Sequence, residues 1–311
     1  MNRRILTLGA LLIVYFLWGG TYLGIRLAVQ TIPPFLMAGT RFLFAGTAVY
    51  LYARLTGAGK PALEHWLDAG IVGALLLLGG NGLICWAEQS IPSGIAALLA
   101  GTIPLWMALL GSLGKDRHLP GPMALASIFL GFGGVALLAL PSGGTSGRMS
   151  PMGLTAGAAG AFLWALGSMF SRRARVPASP LVSVGLQMIV GGALMMLASF
   201  PLGEWSRLDL SRVSLRSALG MGYLVLFGSI IAYSAYIWLL KNADPTWVST
   251  YAFVNPVVAV FLGWLIADER LTSHALAATV VIVVAVGLLT LARARESGAI
   301  RAASSGSAPS R

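Results

Sequence analysis

Ser249–Leu271 reads STYAFVNPVVAVFLGWLIADERL, and Ala97–Leu119 reads ALLAGTIPLWMALLGSLGKDRHL. Placing Pro104 over Pro256 brings Ala100, Leu110, Gly111, Leu113, Asp116 and Leu119 onto Ala252, Leu262, Gly263, Leu265, Asp268 and Leu271 without a gap. Each stretch is an apolar run with one proline near its middle and a charged turn at its end. A proline inside a helix removes a backbone donor and crowds the carbonyl four residues back. In a bilayer such a break is tolerated where protein or a wet cavity satisfies the freed groups. Two interrupted helices at matching places in two halves of a chain point to a transporter's binding site.

Composition agrees with a membrane setting. The 311 residues are 57% hydrophobic and only 10% charged, against roughly 25% charged in a soluble domain. The net charge of +11 does not mark a nucleic-acid partner, because the basic residues punctuate apolar runs and form no continuous basic face. Cys85 is the only cysteine, which excludes an internal disulfide and any paired-cysteine metal or redox motif. The start, Asn2-Arg3-Arg4 before an apolar run, is too long and lacks the small-residue cleavage site of a signal peptide, so a retained first helix is expected.

With about 20 apolar residues per span, the chain reads as an all-α polytopic membrane protein of about ten helices. They run roughly over Ile5–Val29, Phe35–Leu55, Leu67–Gln89, Ser93–Leu113, Gly121–Leu140, Met152–Ser171, Pro180–Phe200, Ser217–Leu240, Thr246–Ala267 and Ser273–Ala292. Proline- and glycine-bearing breaks separate them. With the N-terminus inside, inner segments hold Arg3, Arg4, Arg54, Lys60, Lys115, Arg117, Arg172, Arg173, Arg175, Lys241, Arg293, Arg295, Arg301 and Arg311, which is 14 of the 21 basic residues. This bias places both termini in the cytoplasm. The remainder after 295 is small and polar and is expected to be a disordered cytoplasmic tail.

The repeat extends beyond the proline pair. Phe16-Leu17-Trp18 recurs as Phe162-Leu163-Trp164, and at that offset Arg26 falls on Arg172, Pro34 on Pro180 and Gly46 on Gly192. The division is therefore 1–146 and 147–295, each with about five helices. An odd number forces the second half to enter the membrane inverted, a natural basis for alternating access.

These features together resemble an EamA-type member of the drug/metabolite transporter superfamily. The resemblance rests on Trp18–Arg26 (WGGTYLGIR), Pro34, Arg41-Phe42, Ala87–Leu105 (AEQSIPSGIAALLAGTIPL) and Ser249–Leu271, in register over Ile5 to Ala292. It implies export or exchange of small metabolites across the inner membrane. Amino-acid exporters are among the members the chain is similar to; sugar-phosphate and nucleotide-sugar carriers belong to the same superfamily. The small multidrug pumps of that superfamily carry a glutamate in their first helix, and this chain has none there.

Candidate substrate contacts come from helical spacing. Trp18 and Tyr22 lie one turn apart, Trp164 and Ser168 occupy the equivalent place, and Tyr233 with Tyr236 and Tyr251 with Asn255 form further pairs. Asn255 falls near the midplane, and Pro256 and Pro104 leave the Ala252 and Ala100 carbonyls without their usual donors, a hinge on each side. Aromatic faces, a carboxamide and bare carbonyls suit a small amphiphile: a zwitterionic amino acid, or another uncharged metabolite or drug. The same aromatics also fit simple packing. Asn81 is a further pocket donor. Arg41 has three readings: snorkelling to the outer surface, pairing with Glu88, or holding a substrate carboxylate. Its repeat mate is Gln187. Arg26 and Arg172 read as interfacial anchors.

Every acid falls in a loop or near a helix end, and His65, His118 and His274 fall outside the spans, so no deep group is expected to carry a proton. Transport uncoupled from protons is expected. No metal site, cofactor or catalytic constellation is expected, and HExxH, GxSxG and Walker motifs are absent from the sequence, against a membrane enzyme. The expected partners are the bilayer and a small-molecule substrate, with the protein a monomer.

Overall fold

A computed structural model describes residues 3–113, 121–139, 150–171, 173–243, 251–269 and 273–305. Among these, every regular element is helical. Eight helices are long and apolar enough to cross a membrane, and two shorter apolar helices accompany them. In chain order they are α1 (Arg4–Ala28), α2 (Pro34–Leu55), α3 (Leu63–Ala87), α4 (Ser93–Leu113), α5 (Pro122–Ala139), α6 (Pro151–Ser171), α7 (Pro180–Ser199), α8 (Leu215–Tyr236), α9 (Tyr251–Ala267) and α10 (Ser273–Ser305). The protein is an all-α polytopic membrane protein. Phe44 and Phe129 project from the outside of the bundle, as a lipid-facing surface requires.

Prolines set several of the starts. α2, α5, α6 and α7 each begin on one, where the missing donor costs nothing and the fixed φ suits the first turn. α10 continues to Ser305, past Ala292, so the tail expected to be disordered from 296 is helical up to that point. Three alanines and Arg301 in that stretch favour helix. The charged turn after Leu113 and the expected start of α9 at Thr246 lie outside the described residues.

The helices pair in a pattern that maps onto itself when the halves are exchanged. α2 packs on α7, α4 on α9 and α5 on α10, while α3 on α6 is answered by α8 on α1. Glycines make the closest crossings and give their direction. On α2 and α7, Gly39 meets Gly192 while Gly46 meets Gly185; on α4 and α9, Gly94 meets Val260 while Gly101 meets Ala252 and Pro256. Both sets run in opposite senses, so repeat-related helices are antiparallel and the halves are inverted. A Cβ on Gly46 would sit 2.6 Å from the Met188 Cβ, so no larger residue fits without separating the helices.

Three spans depart from α geometry. Wider π-helical turns occupy Val14–Trp18 in α1, Gly73–Asn81 in α3 and Leu224–Ile231 in α8. The last two stand at equivalent places in the two halves. α4 breaks at Thr102 into Ser93–Gly101 and Ile103–Leu113. The two aligned prolines therefore differ: Pro256 lies inside a continuous helix, whereas Pro104 starts a new one and carries no mid-helix kink.

Candidate functional site

The interrupted helices enclose a central cavity of about 90 Å³, walled by both halves. Trp18, Tyr22, Arg41, Asn81, Trp164, Tyr233, Tyr251, Asn255 and Pro256 all reach it. The tryptophans are placed by the π turns in a matched way. Trp18 on α1 donates from Nε1 to the Gly228 carbonyl in the π turn of α8, at 3.1 Å. Trp164 on α6 lies against Gly80 in the π turn of α3, where a Cβ would stand 2.9 Å from its ring. Where an α ladder switches to the i→i+5 bonds of a π turn, a carbonyl can lose its usual donor, and such a group survives at membrane depth only where a side chain or a wet cavity meets it.

The aromatic wall has two layers. Trp18 is ringed by Tyr236, Tyr251 and Tyr233, with ring centroids 4.8, 5.4 and 6.1 Å away. Tyr233 and Tyr251 reach the cavity; Tyr236 does not, and backs them from behind. Gln187 is likewise outside the cavity wall, and its Oε1 accepts from the Tyr233 hydroxyl at 3.1 Å, orienting that ring. Ser168 turns into its own helix, donating to the Trp164 carbonyl at 2.8 Å, so it offers nothing to the cavity. Pro104 is also off the wall; Thr102, buried at the break in α4, bonds through its hydroxyl to the Leu99 carbonyl at 2.6 Å. Asn81 accepts from the Cys85 thiol at 3.4 Å.

Arg41 is 4% exposed, which rules out snorkelling, and it makes no pair with Glu88. Its Nε donates to Ser229 Oγ at 2.8 Å, its guanidinium carbon stands 4.6 Å from the Phe42 ring centroid, and its Nη1 has no partner. Ser229 carries no sequence signal of its own; only the folding of α8 beside α2 brings it here.

Beyond the cavity, one end of the bundle is sealed by charges from both halves. Arg26 donates to the Glu88 carbonyl and stands 3.8 Å from Glu269. Arg26 is thus a cross-link between helices, where an interfacial anchor was expected. Glu269 accepts from the Ser93 backbone at 3.0 Å and its hydroxyl at 2.8 Å, capping α4. Asp268 makes this possible by taking a left-handed turn, φ 52°, that sends Glu269 back across the end of α9. At the same end Glu204 caps α2 through the Phe35 and Leu36 amides at 3.2 and 2.8 Å. Glu88 does stand at a helix end, yet it is fully buried and neither carboxyl oxygen has a partner. Arg26 of α1 donates to its backbone carbonyl, and Gly153 of α6 packs beside the neighbouring Ala87 carbonyl, Ser90 and Ile91, so the end of α3 is covered from two sides. At the opposite end Arg175 binds Asp68 and Glu64, at 3.0 and 3.2 Å.

Residues 5–140 and 151–291 each match the model of the EamA-like transporter family. The uncharacterized inner membrane transporter YedA of Escherichia coli K12 is 40% identical over 297 residues, covering 94% of this chain and 93% of its own. Protein PecM of Dickeya dadantii is 28% identical over 270 residues, 85% and 86% of the two chains. A solved crystal structure that is 24% identical superposes with a TM-score of 0.64 over 95% of this chain and all of its own, a likeness of fold.

Proposed function

The chain belongs to the EamA-like transporter family, and we propose that it exports or exchanges small metabolites, neutral amino acids first among them, across the inner membrane by alternating access. The observation that carries this reading is the cavity itself, held between inverted halves by helices broken at matching places. With both termini cytoplasmic, the Glu88 end faces outward and the Arg175 end inward. The division into 1–146 and 147–295 then gives two arms that rock about one site.

The side-chain chemistry of the cavity favours a small amphiphile. Trp18, Trp164 and Tyr251 present rings to an apolar or aromatic substituent, and Asn81, Asn255 and Thr21 present polar atoms. Among the described residues no acid or histidine lines it, so a proton has no carrier at the substrate site. Transport then runs down the substrate's own gradient. The test is a radiolabelled panel of amino acids, sugars, nucleotides and lipophilic cations in liposomes. A neutral amino acid should show counterflow with or without a pH difference. Uphill uptake driven by a pH gradient alone would overturn the uncoupled mechanism, and absence of any amino acid from the transported set would overturn the substrate.

A further inference from the structure

We infer that Arg41 and Asn255 form a head-group subsite for a zwitterion, the guanidinium taking a carboxylate and Asn255 Oδ1 taking an ammonium or amine donor. The inference rests on the reading of this cavity as the substrate site and specifies what that site demands.

Among the described residues, Arg41 is the only charged one that lines the cavity. A charge inside a membrane is costly, and such residues pair with an opposite charge or mark a ligand path. Among the described residues no carboxylate pairs with Arg41. Its contacts are one hydroxyl and one ring face, neither of which neutralises it, and Nη1 is buried without an acceptor. The protein therefore holds an uncompensated cation against the cavity, built in from two halves: Arg41 from α2, Ser229 from α8.

Asn255 supplies the complementary need. It is 5% exposed, lies on α9 in the other half next to Pro256, and its Oδ1 is buried with no donor. A simple anion would satisfy Arg41 and leave Asn255 bare. A cation would satisfy Asn255 and be repelled by Arg41, with no acid among the described wall residues to offset it. A carboxylate and an amine on one small molecule answer both, and the aromatic wall receives what remains.

The test is counterflow in proteoliposomes with L-phenylalanine, its amide (carboxylate charge removed) and 3-phenylpropanoate (amine removed), and with the same trio for any other neutral amino acid that the panel shows transported. Wild type should prefer the amino acid over both analogues by at least about tenfold, the scale of one charge-assisted hydrogen bond. Arg41→Gln should cut amino-acid transport by a similar factor and spare the amide, so that the acid-to-amide ratio collapses. Arg41→Lys should restore part of that ratio, and Asn255→Ala should narrow the preference over the desamino acid only. Monodisperse elution in detergent establishes that each variant folds. An unchanged acid-to-amide ratio in Arg41→Gln, or a parallel fall for all three compounds, would overturn the subsite alone. Transport of sugars, nucleotides or cations with no amino acid would overturn it together with the amino-acid reading.

Discussion

Arg26 and Glu269 approach to 3.8 Å across the joint between the two halves, while the same guanidinium donates to the Glu88 carbonyl. One side chain of α1 thus ties the end of α3 to the α9–α10 turn, and Glu269 extends the tie to the first turn of α4. The alternating access proposed above requires this joint to part.

Glu269→Ala should therefore loosen that end. It removes a cap worth about 1 kcal/mol and an ion pair worth about 0–1 kcal/mol, so the open population should rise by roughly five- to thirtyfold. Cys85, the single cysteine, is fully buried below the joint and reports on it. Maleimide labelling of Cys85 should be slow in wild type and several-fold faster in the variant. Equal labelling rates would mean that the joint does not control access.

Glu88 should make closure of this end pH-sensitive. Burial first, and the neighbouring Glu269 second, hold its carboxyl well above the ordinary carboxylate range, with Arg26 opposing. When the end opens and water reaches Glu88, its proton affinity falls toward the usual value of about 4.3. The closed arrangement is accordingly favoured below that value and loses this support as pH rises through the raised one. Exchange limited by opening should quicken as external pH rises. Glu88→Gln, a permanent mimic of the protonated form, should flatten the profile. Because Glu88 is off the cavity wall, a pH gradient should change the rate and not drive accumulation.

The two aligned prolines should respond differently. Pro256→Ala lets residue 256 donate to the Ala252 carbonyl and stiffens α9, so exchange should slow by several-fold. Pro104→Ala changes the first turn of a helix that already starts after Thr102, and its effect should be small. Counterflow rates of the two variants, measured side by side, check this; equal slowing would restore a symmetric hinge.

Gly46→Val should be among the most damaging changes outside the cavity. Its side chain would be driven into Met188 and the Gly185 carbonyl, and overpacking of this kind costs about 1–3 kcal/mol or more. A lowered thermal midpoint in detergent is the expected result, with Gly59→Val, at a site with no atoms near its Cβ, as the neutral comparison.

Much of this protein is written in contiguous stretches of its sequence. Spans are legible because crossing a bilayer demands a local run of apolar residues, and the proline starts of α2 and α7 show themselves as Pro34 and Pro180. The inversion came from counting an odd number of spans per half. Trp18 and Trp164 could be proposed because repetition marked them, and Asn255 because it stands one turn from Tyr251 near the midplane. Tertiary structure alone decided which side chains face inward. The π turns of α1, α3 and α8 rotate every later residue of the helix about its axis, so a period of 3.6 cannot tell Tyr233 on the wall from Tyr236 behind it. The partners of Arg26, Arg41 and Glu269 lie far away in the chain, on helices whose approach is set by glycine crossings. Glu88 combines both kinds of information: its position at the end of α3 is local, while its removal from water depends on the helices that pack around it, α1 with Arg26 among them.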